Sequence, residues 1–215
     1  MNLKLKKLTT TAMLAAIAYI LMFFSKIIPA VEGFLQYDAK DVVITIGGFI
    51  LGPLYAFVIS LLVSLLEFFT VSGTGIIGLI MNIVSTATFA GVASFIYRRK
   101  KTLNGAFLSL GAATFALTAV MLLWNYYITP HYMKIPQSVI VPMLPTVFLP
   151  FNLVKGLINS GFILFAYRPI VSALQKAKLV PSNSVQKKVL SPALITGLIL
   201  VAIFIPVILH MAKVI

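Results

Sequence analysis

Cysteine is absent from this sequence of 215 residues, which excludes a disulfide framework, a thiolate nucleophile and a cysteine-based metal site. Acidic residues are scarce: Glu32, Asp38, Asp41 and Glu67 are the only four. The two histidines, His131 and His210, lie in no H-E-x-x-H spacing and beside no Ser or Asp partner, so both read as structural. No G-x-x-x-x-G-K-[ST] segment occurs, and the chain therefore does not hydrolyse nucleotide by a P-loop mechanism. Charged residues make up only 10% of the chain against 60% apolar, a balance that a soluble single domain could not hide from water.

What is present are apolar runs of about 20 residues, long enough to cross a hydrocarbon core as helices. They are unbroken, where a barrel would alternate apolar and polar residues, so the chain reads as an all-α, multi-span membrane protein. The solvent is the lipid bilayer. A formal charge of +13 could suggest nucleic acid, but the basic residues fall in short clusters between apolar runs, which membrane topology explains better. Lys4, Lys6 and Lys7 ahead of an apolar run imitate a secretory signal, yet the run's length and the spans that follow fit a retained first helix.

The run from 42 to 70 is too long for one ordinary helix, and Gly52-Pro53 divides it. If the chain reverses there, three clusters share the cytoplasmic side: Lys4/Lys6/Lys7, Arg98/Arg99/Lys100/Lys101, and Arg168 with Lys176, Lys178, Lys187 and Lys188. The helix from 42 to 52 would then span only about 16 Å, so protein must shield it, as in segments that line a cavity. The other side receives a loop from Pro29 to Asp41, the turn from Ser72 to Gly75, and a long loop from Thr129 to Pro145, together with all four acidic residues. Asp38 and Asp41, beside Tyr37 and Lys40, read as a polar rim or lid; for Glu32 ordinary surface solubility is an equal reading.

Polar residues at the outer ends of apolar helices carry the functional signal, because an amide or ammonium in lipid is costly unless it faces a cavity. Asn125 sits beside Trp124, Tyr126 and Tyr127, and Asn152 with Lys155 follows Pro150-Phe151. Asn152, Lys155 and Asn159 follow i, i+3 and i+4 steps along one helix face. With aromatic neighbours, Phe68 and Phe69 among them, they suit a planar heteroaromatic ligand. Snorkelling explains Lys155 alone, and an interfacial belt explains any single aromatic. Gly73-Thr74-Gly75 with Gly78 serves either close packing or a ligand contact.

Taken in order, several strings resemble the substrate-binding S components of energy-coupling-factor (ECF) transporters, specifically the riboflavin-binding type. They are Ala12-Met-Leu-Ala-Ala16, Tyr37-Asp-Ala-Lys-Asp41, Gly52-Pro53, Glu67 to Gly75, Asn82, Trp124-Asn-Tyr126 and Pro150 to Gly156, within residues 5–178. The resemblance implies six helices, at about 9–28, 42–52, 54–70, 75–97, 103–128 and 146–175, in a domain of residues 1–180. It implies a vitamin pocket near the outer face of the cell membrane, closed by the first outer loop, and a cytoplasmic N-terminus. It also implies that Ala12 and Ala16 meet a membrane coupling subunit bound to two ATPases; from spacing alone, a tight crossing within the chain is an equal reading. Asn152, Lys155 and Asn125 would bond the isoalloxazine edge of riboflavin, and Asp38 and Asp41 the ribityl hydroxyls. Tyr37, Lys40, Trp124, Tyr127 and Asn159 complete the expected ligand set, with riboflavin as cargo, no cofactor and no catalytic residue. The chain departs from the six-helix pattern in residues 181–215, where a linker leads to another apolar run, Leu190 to Met211, with Pro206 expected to kink it.

Two other readings stay open at this level. Lys155 could equally pair the carboxylate of a biotin-like vitamin, or the chain could take thiamin. A small intramembrane enzyme using Glu67 or His131 as acid or base lacks a partner group for either. The spans also show no inverted repeat of the kind that secondary carriers carry.

Overall fold

The computed structural model describes residues 2–181 and 190–212, and Lys187 and Lys188 of the third basic cluster lie outside them. The helices are α1 (Leu3–Ser25), α2 (Lys40–Leu51), α3 (Pro53–Thr70), α4 (Gly75–Arg99), α5 (Leu103–Tyr127), α6 (Thr129–Met133), α7 (Gln137–Met143), α8 (Leu149–Lys176) and α9 (Leu190–Met211). A π-helical turn, Leu144–Phe148, joins α7 to α8. Among the described residues six helical runs are long and apolar enough to cross a membrane: α1, α3, α4, α5, the run from Gln137 to Lys176, and α9. Their outward faces carry large exposed apolar side chains such as Ile20, Leu54, Phe115 and Ile203, as lipid contact requires.

Gly52 makes the reversal between α2 and α3. Its φ of 108° and ψ of 166° suit a residue without Cβ, and Pro53 starts α3 where no backbone donor is needed. Arg98 lies beside this turn, 3.7 Å from where a Cβ on Gly52 would sit, and Lys7 lies over the Tyr55 ring at 5.8 Å. The start of α1, the α2–α3 turn and the end of α4 therefore share one end of the bundle, which we call the basic end. Arg98 and Arg99 occupy the last turn of α4 and Lys176 that of α8, where cations also complement the helix dipole.

Twelve residues give α2 a length of about 18 Å, well short of a bilayer core. The shielding expected of it is complete: every residue from Lys40 to Phe49 is buried, packed among α1, α3, α4 and α8. Two glycines permit this closeness. A Cβ on Gly47 would lie 2.9 Å from Ile59 Cδ1 and 3.1 Å from Leu14 Cδ1; one on Gly48 would lie 1.9 Å from Ser94 Oγ and 2.9 Å from Ala56 Cβ.

The expected loop from Thr129 to Pro145 is instead largely helical. Three of its four prolines sit where a helix tolerates them, and the fourth, Pro142, is carried inside α7. Pro130 and Pro150 lie in the first turns of α6 and α8, Pro145 in the first turn of the π segment, and Pro136 caps α7. Helix α9 likewise runs through Pro206 without interruption.

Filling the space that Gly48 leaves should destabilise the bundle. Gly48→Val is expected to cost about 1–3 kcal/mol by overpacking. Gly91→Ala, whose Cβ meets nothing within 4 Å, should be neutral or slightly stabilising in the same thermal unfolding series in detergent.

Candidate functional site

At the end of the bundle opposite the basic clusters lies a cavity of about 340 Å³, within the range of about 300–1,000 Å³ common for small-molecule sites. The loop from Lys26 to Ala39 covers it. Within that loop Val31 and Leu35 exchange backbone hydrogen bonds of 2.9 Å around a tight turn, in which Glu32 and Gly33 have φ of 51° and 78°. Phe34 then packs on Phe148 of the π turn at 5.9 Å between ring centroids. The other walls come from the end of α3, the start of α4, the end of α5 and the start of α8. Phe34, Trp124, Tyr132 and Phe151 supply aromatic surface, and Asn82, Asn125, Thr129, Asn152 and Lys155 supply polar groups.

Below and beside this cavity three lysines meet three carboxylates. Glu67 accepts from Lys26 Nζ at Oε1 (2.7 Å), and at Oε2 from Lys40 Nζ (2.7 Å) and Asn82 Nδ2 (3.0 Å). Lys40 also donates to Asp38, through its ammonium and its backbone N–H. Asp41 accepts from Thr86 Oγ1 at 2.6 Å and Asn159 Nδ2 at 3.3 Å, with Lys155 Nζ 3.5 Å away. Tyr37 closes the chain of contacts by donating to Asn159 Oδ1 at 2.9 Å. The formal charges cancel, and the contacts tie the loop to α2, α3, α4 and α8.

Burial alone would raise the Asp38 carboxyl, but the Lys40 ammonium beside it, with Lys155 further off, outweighs burial and holds it below the ordinary carboxylate value. Burial, reinforced by Asp41 and Asp38, pushes the Tyr37 phenol well above its ordinary value, so it remains a donor. Such a cluster is tolerable at low dielectric because each charge has a partner.

Of the ten ligand residues expected from sequence, five line the cavity: Asp38, Trp124, Asn125, Asn152 and Lys155. Tyr37, Lys40, Asp41 and Asn159 are buried in the network, bonded to one another or to its other members rather than forming the cavity wall. Tyr127 points elsewhere. It is 60% exposed and borders a separate surface depression with Tyr126 and His131. Phe69 is 78% exposed and faces outward. Gly73, Thr74 and Gly78 do reach the cavity rim. Lys26, Gln36, Glu67 and Asn82 line the cavity without having been in the expected set. Their signal in the sequence was rarity: a carboxylate ending an apolar helix and an amide inside the next one both need a partner in lipid.

On the opposite flank, Ala12 and Ala16 lie on the exposed side of α1, while Leu14, Ala15 and Ala18 face the core. A crossing within the chain therefore does not use them, and they remain open to another helix.

A lipid-embedded bundle with a partly polar, aromatic-walled cavity at one end, and a small-residue patch facing outward, has the build of a membrane binding subunit. Comparison with known proteins specifies which. The family model described as "ECF transporter, substrate-specific component" matches residues 6–171, and the chain belongs to that family. Among curated relatives, Riboflavin transporter RibU of Streptococcus thermophilus is 32% identical over 181 residues, covering 80% of this chain and 85% of the relative. Riboflavin transporter RibU of Staphylococcus aureus is 28% identical over 177 residues, covering 80% and 93%. Riboflavin transporter FmnP of Bacillus subtilis is 28% identical over 165 residues, covering 73% and 87%. A solved structure described as the S component of a bacterial ECF transporter aligns with a TM-score of 0.69 at 29% identity, covering 80% of this chain and 99% of the other. The chain is a transport component and not an enzyme.

Removing the cation between Asp38 and Glu67 should expose the cost of the network. Lys40→Met is expected to lower stability by about 3–5 kcal/mol, the range for orphaning a buried charge, and thermal unfolding of the purified variant checks it.

Proposed function

We propose that this chain captures riboflavin at the outer face of the bacterial cell membrane. It then delivers the vitamin inward when a membrane coupling subunit and two ATPases drive the complex. The observation that carries the reading is the cavity, where aromatic walls meet side-chain amides and the Lys155 ammonium, in a chain whose relatives are named riboflavin transporters. An isoalloxazine ring offers stacking area together with carbonyl acceptors and one N–H donor along its edge. Lys155 supplies a donor to a carbonyl; the Asn125 and Asn152 amides supply donors and acceptors, while Asp38 at the loop side suits a ribityl hydroxyl. No covalent step is needed.

Charge favours this vitamin over the alternatives. Lys155 already has Asp41 at 3.5 Å, so a biotin-like carboxylate would have to compete for it, and three lysines balance the three carboxylates that would otherwise attract cationic thiamin. An acid–base role is disfavoured for Glu67, held by two lysines and Asn82, and for His131, which borders the separate depression. The distribution of Lys and Arg supports a cytoplasmic basic end, with the N-terminus inside and the cavity outside. Ala12 and Ala16 form the surface for the coupling subunit, since small residues one turn apart permit close helix approach.

Purified from a riboflavin-containing medium, the protein should be yellow. Asn152→Ala should weaken binding by up to about tenfold, the loss of one neutral hydrogen bond, in a fluorescence-quenching titration. Because the chain lacks cysteine, Ser72→Cys on the cavity rim reports both orientation and occupancy. An impermeant thiol reagent added to intact cells should modify it, and riboflavin should protect it; modification only after permeabilisation would invert the topology.

Ala16→Leu should abolish co-purification with the coupling subunit while riboflavin affinity is retained. Unimpaired assembly would remove α1 from the interface.

A further inference from the structure

Helix α9 lies beyond the residues that the family model matches, yet it packs against α8 along an extensive antiparallel interface. The two backbones meet at glycines. A Cβ on Gly197 would lie 2.7 Å from the Gly161 carbonyl oxygen and 3.0 Å from the Phe165 nitrogen, and one on Gly161 would lie 3.0 Å from the Gly197 carbonyl oxygen. From this crossing α9 continues toward the cavity end. There Phe204, Ile208 and Met211 join the apolar cluster that contains Phe151 and Ile158 of α8 and Val31, Leu35 and Tyr37 of the covering loop. Ile208 is 3% exposed, whereas Ile199 and Ile203 on the outward face of α9 are 51% and 54% exposed.

Phe151 and Leu35 line the cavity, and Tyr37 bonds the Asn159 that holds Asp41. The cluster that α9 completes is thus the back of two walls, the loop and the head of α8, and a looser cluster would let the loop lift from the cavity more readily. We propose that α9 is a positioning element of the binding site: its cavity-end residues hold the covering loop against α8 and so prolong the residence of the bound vitamin. This rests on the riboflavin reading above. Its effect falls on ligand exchange and not on the polar contacts to the ligand, so it belongs chiefly to the dissociation rate.

Stopped-flow flavin fluorescence on the full chain tests it. Ile208→Ala and Gly197→Ala should raise the dissociation rate several-fold with little change in association, Ile208→Val should restore the slow rate, and Ile199→Ala on the lipid-facing side should match the unsubstituted protein. A single cysteine at a loop position buried in the cluster, Val31→Cys, gives a second readout that needs no ligand, because its thiol is reached only when the loop parts from α8: its modification should quicken when Ile208→Ala is added. Equal dissociation rates and equal thiol reactivity in Ile208→Ala and the unsubstituted protein would overturn the proposal, even if Gly197→Ala fails to fold. If the unsubstituted protein binds no riboflavin, the ligand reading falls, and the thiol measurement alone decides the role of α9.

Discussion

The structure depends on a charge cluster that lipid would not tolerate in parts. Three of the four carboxylates in the chain meet Lys26, Lys40 and Lys155 at the cavity end, each charge with an opposite partner and additional hydrogen bonds from Asn82, Thr86 and Asn159. Desolvating any one of them alone would cost several kcal/mol, so the cluster forms as a unit. Its members come from the covering loop and four helices, and satisfying them fixes where those elements stand. The binding cavity is the space left above this arrangement. Its floor is neutralised by paired charges, and its polar groups are aimed because their own partners hold them.

The short helix α2 is the second half of that constraint. It carries Lys40 and Asp41 into the membrane region, and its length forbids it to face lipid at both ends. Gly47 and Gly48 let α1, α3 and α4 close around it, so the element that carries Lys40 and Asp41 is itself enclosed on all sides. The Gly52-Pro53 reversal returns the chain and brings Glu67 back to the level of Lys40 at 2.7 Å. A cavity end built on paired charges and an apolar remainder suit a substrate-specific component embedded in lipid.

Much of the helical plan was legible, because hydropathy in lipid is a one-dimensional signal. The reversal at Gly52 followed from the charge clusters, and the short helix was expected to be enclosed, as it is. The segment 129–145, expected as a loop, is largely helical: Pro130 and Pro145 occupy first turns, where the missing donor costs nothing, and Pro142 is carried inside α7. The site was only half legible. Trp124 and Tyr127 lie three residues apart on α5, yet one lines the cavity and the other faces away from it. Asp41 and Asn159, expected among the ligand residues, are bonded within the buried network and do not line the cavity. Lys26, Glu67 and Asn82 were signalled by their chemistry, but not by any local pattern that said which way they point.

By itself the sequence determined the solvent, the helices and the residue types that could not remain in lipid unpartnered. Those follow from composition and from the cost of bare polar groups in hydrocarbon, which do not depend on what lies nearby. Tertiary structure alone decided which lysine meets which carboxylate, which asparagines face the cavity, and that α9 packs into the covering loop's cluster. Helices apolar on nearly every side carry little periodic signal, so the inward face is set by the neighbours that pack against it.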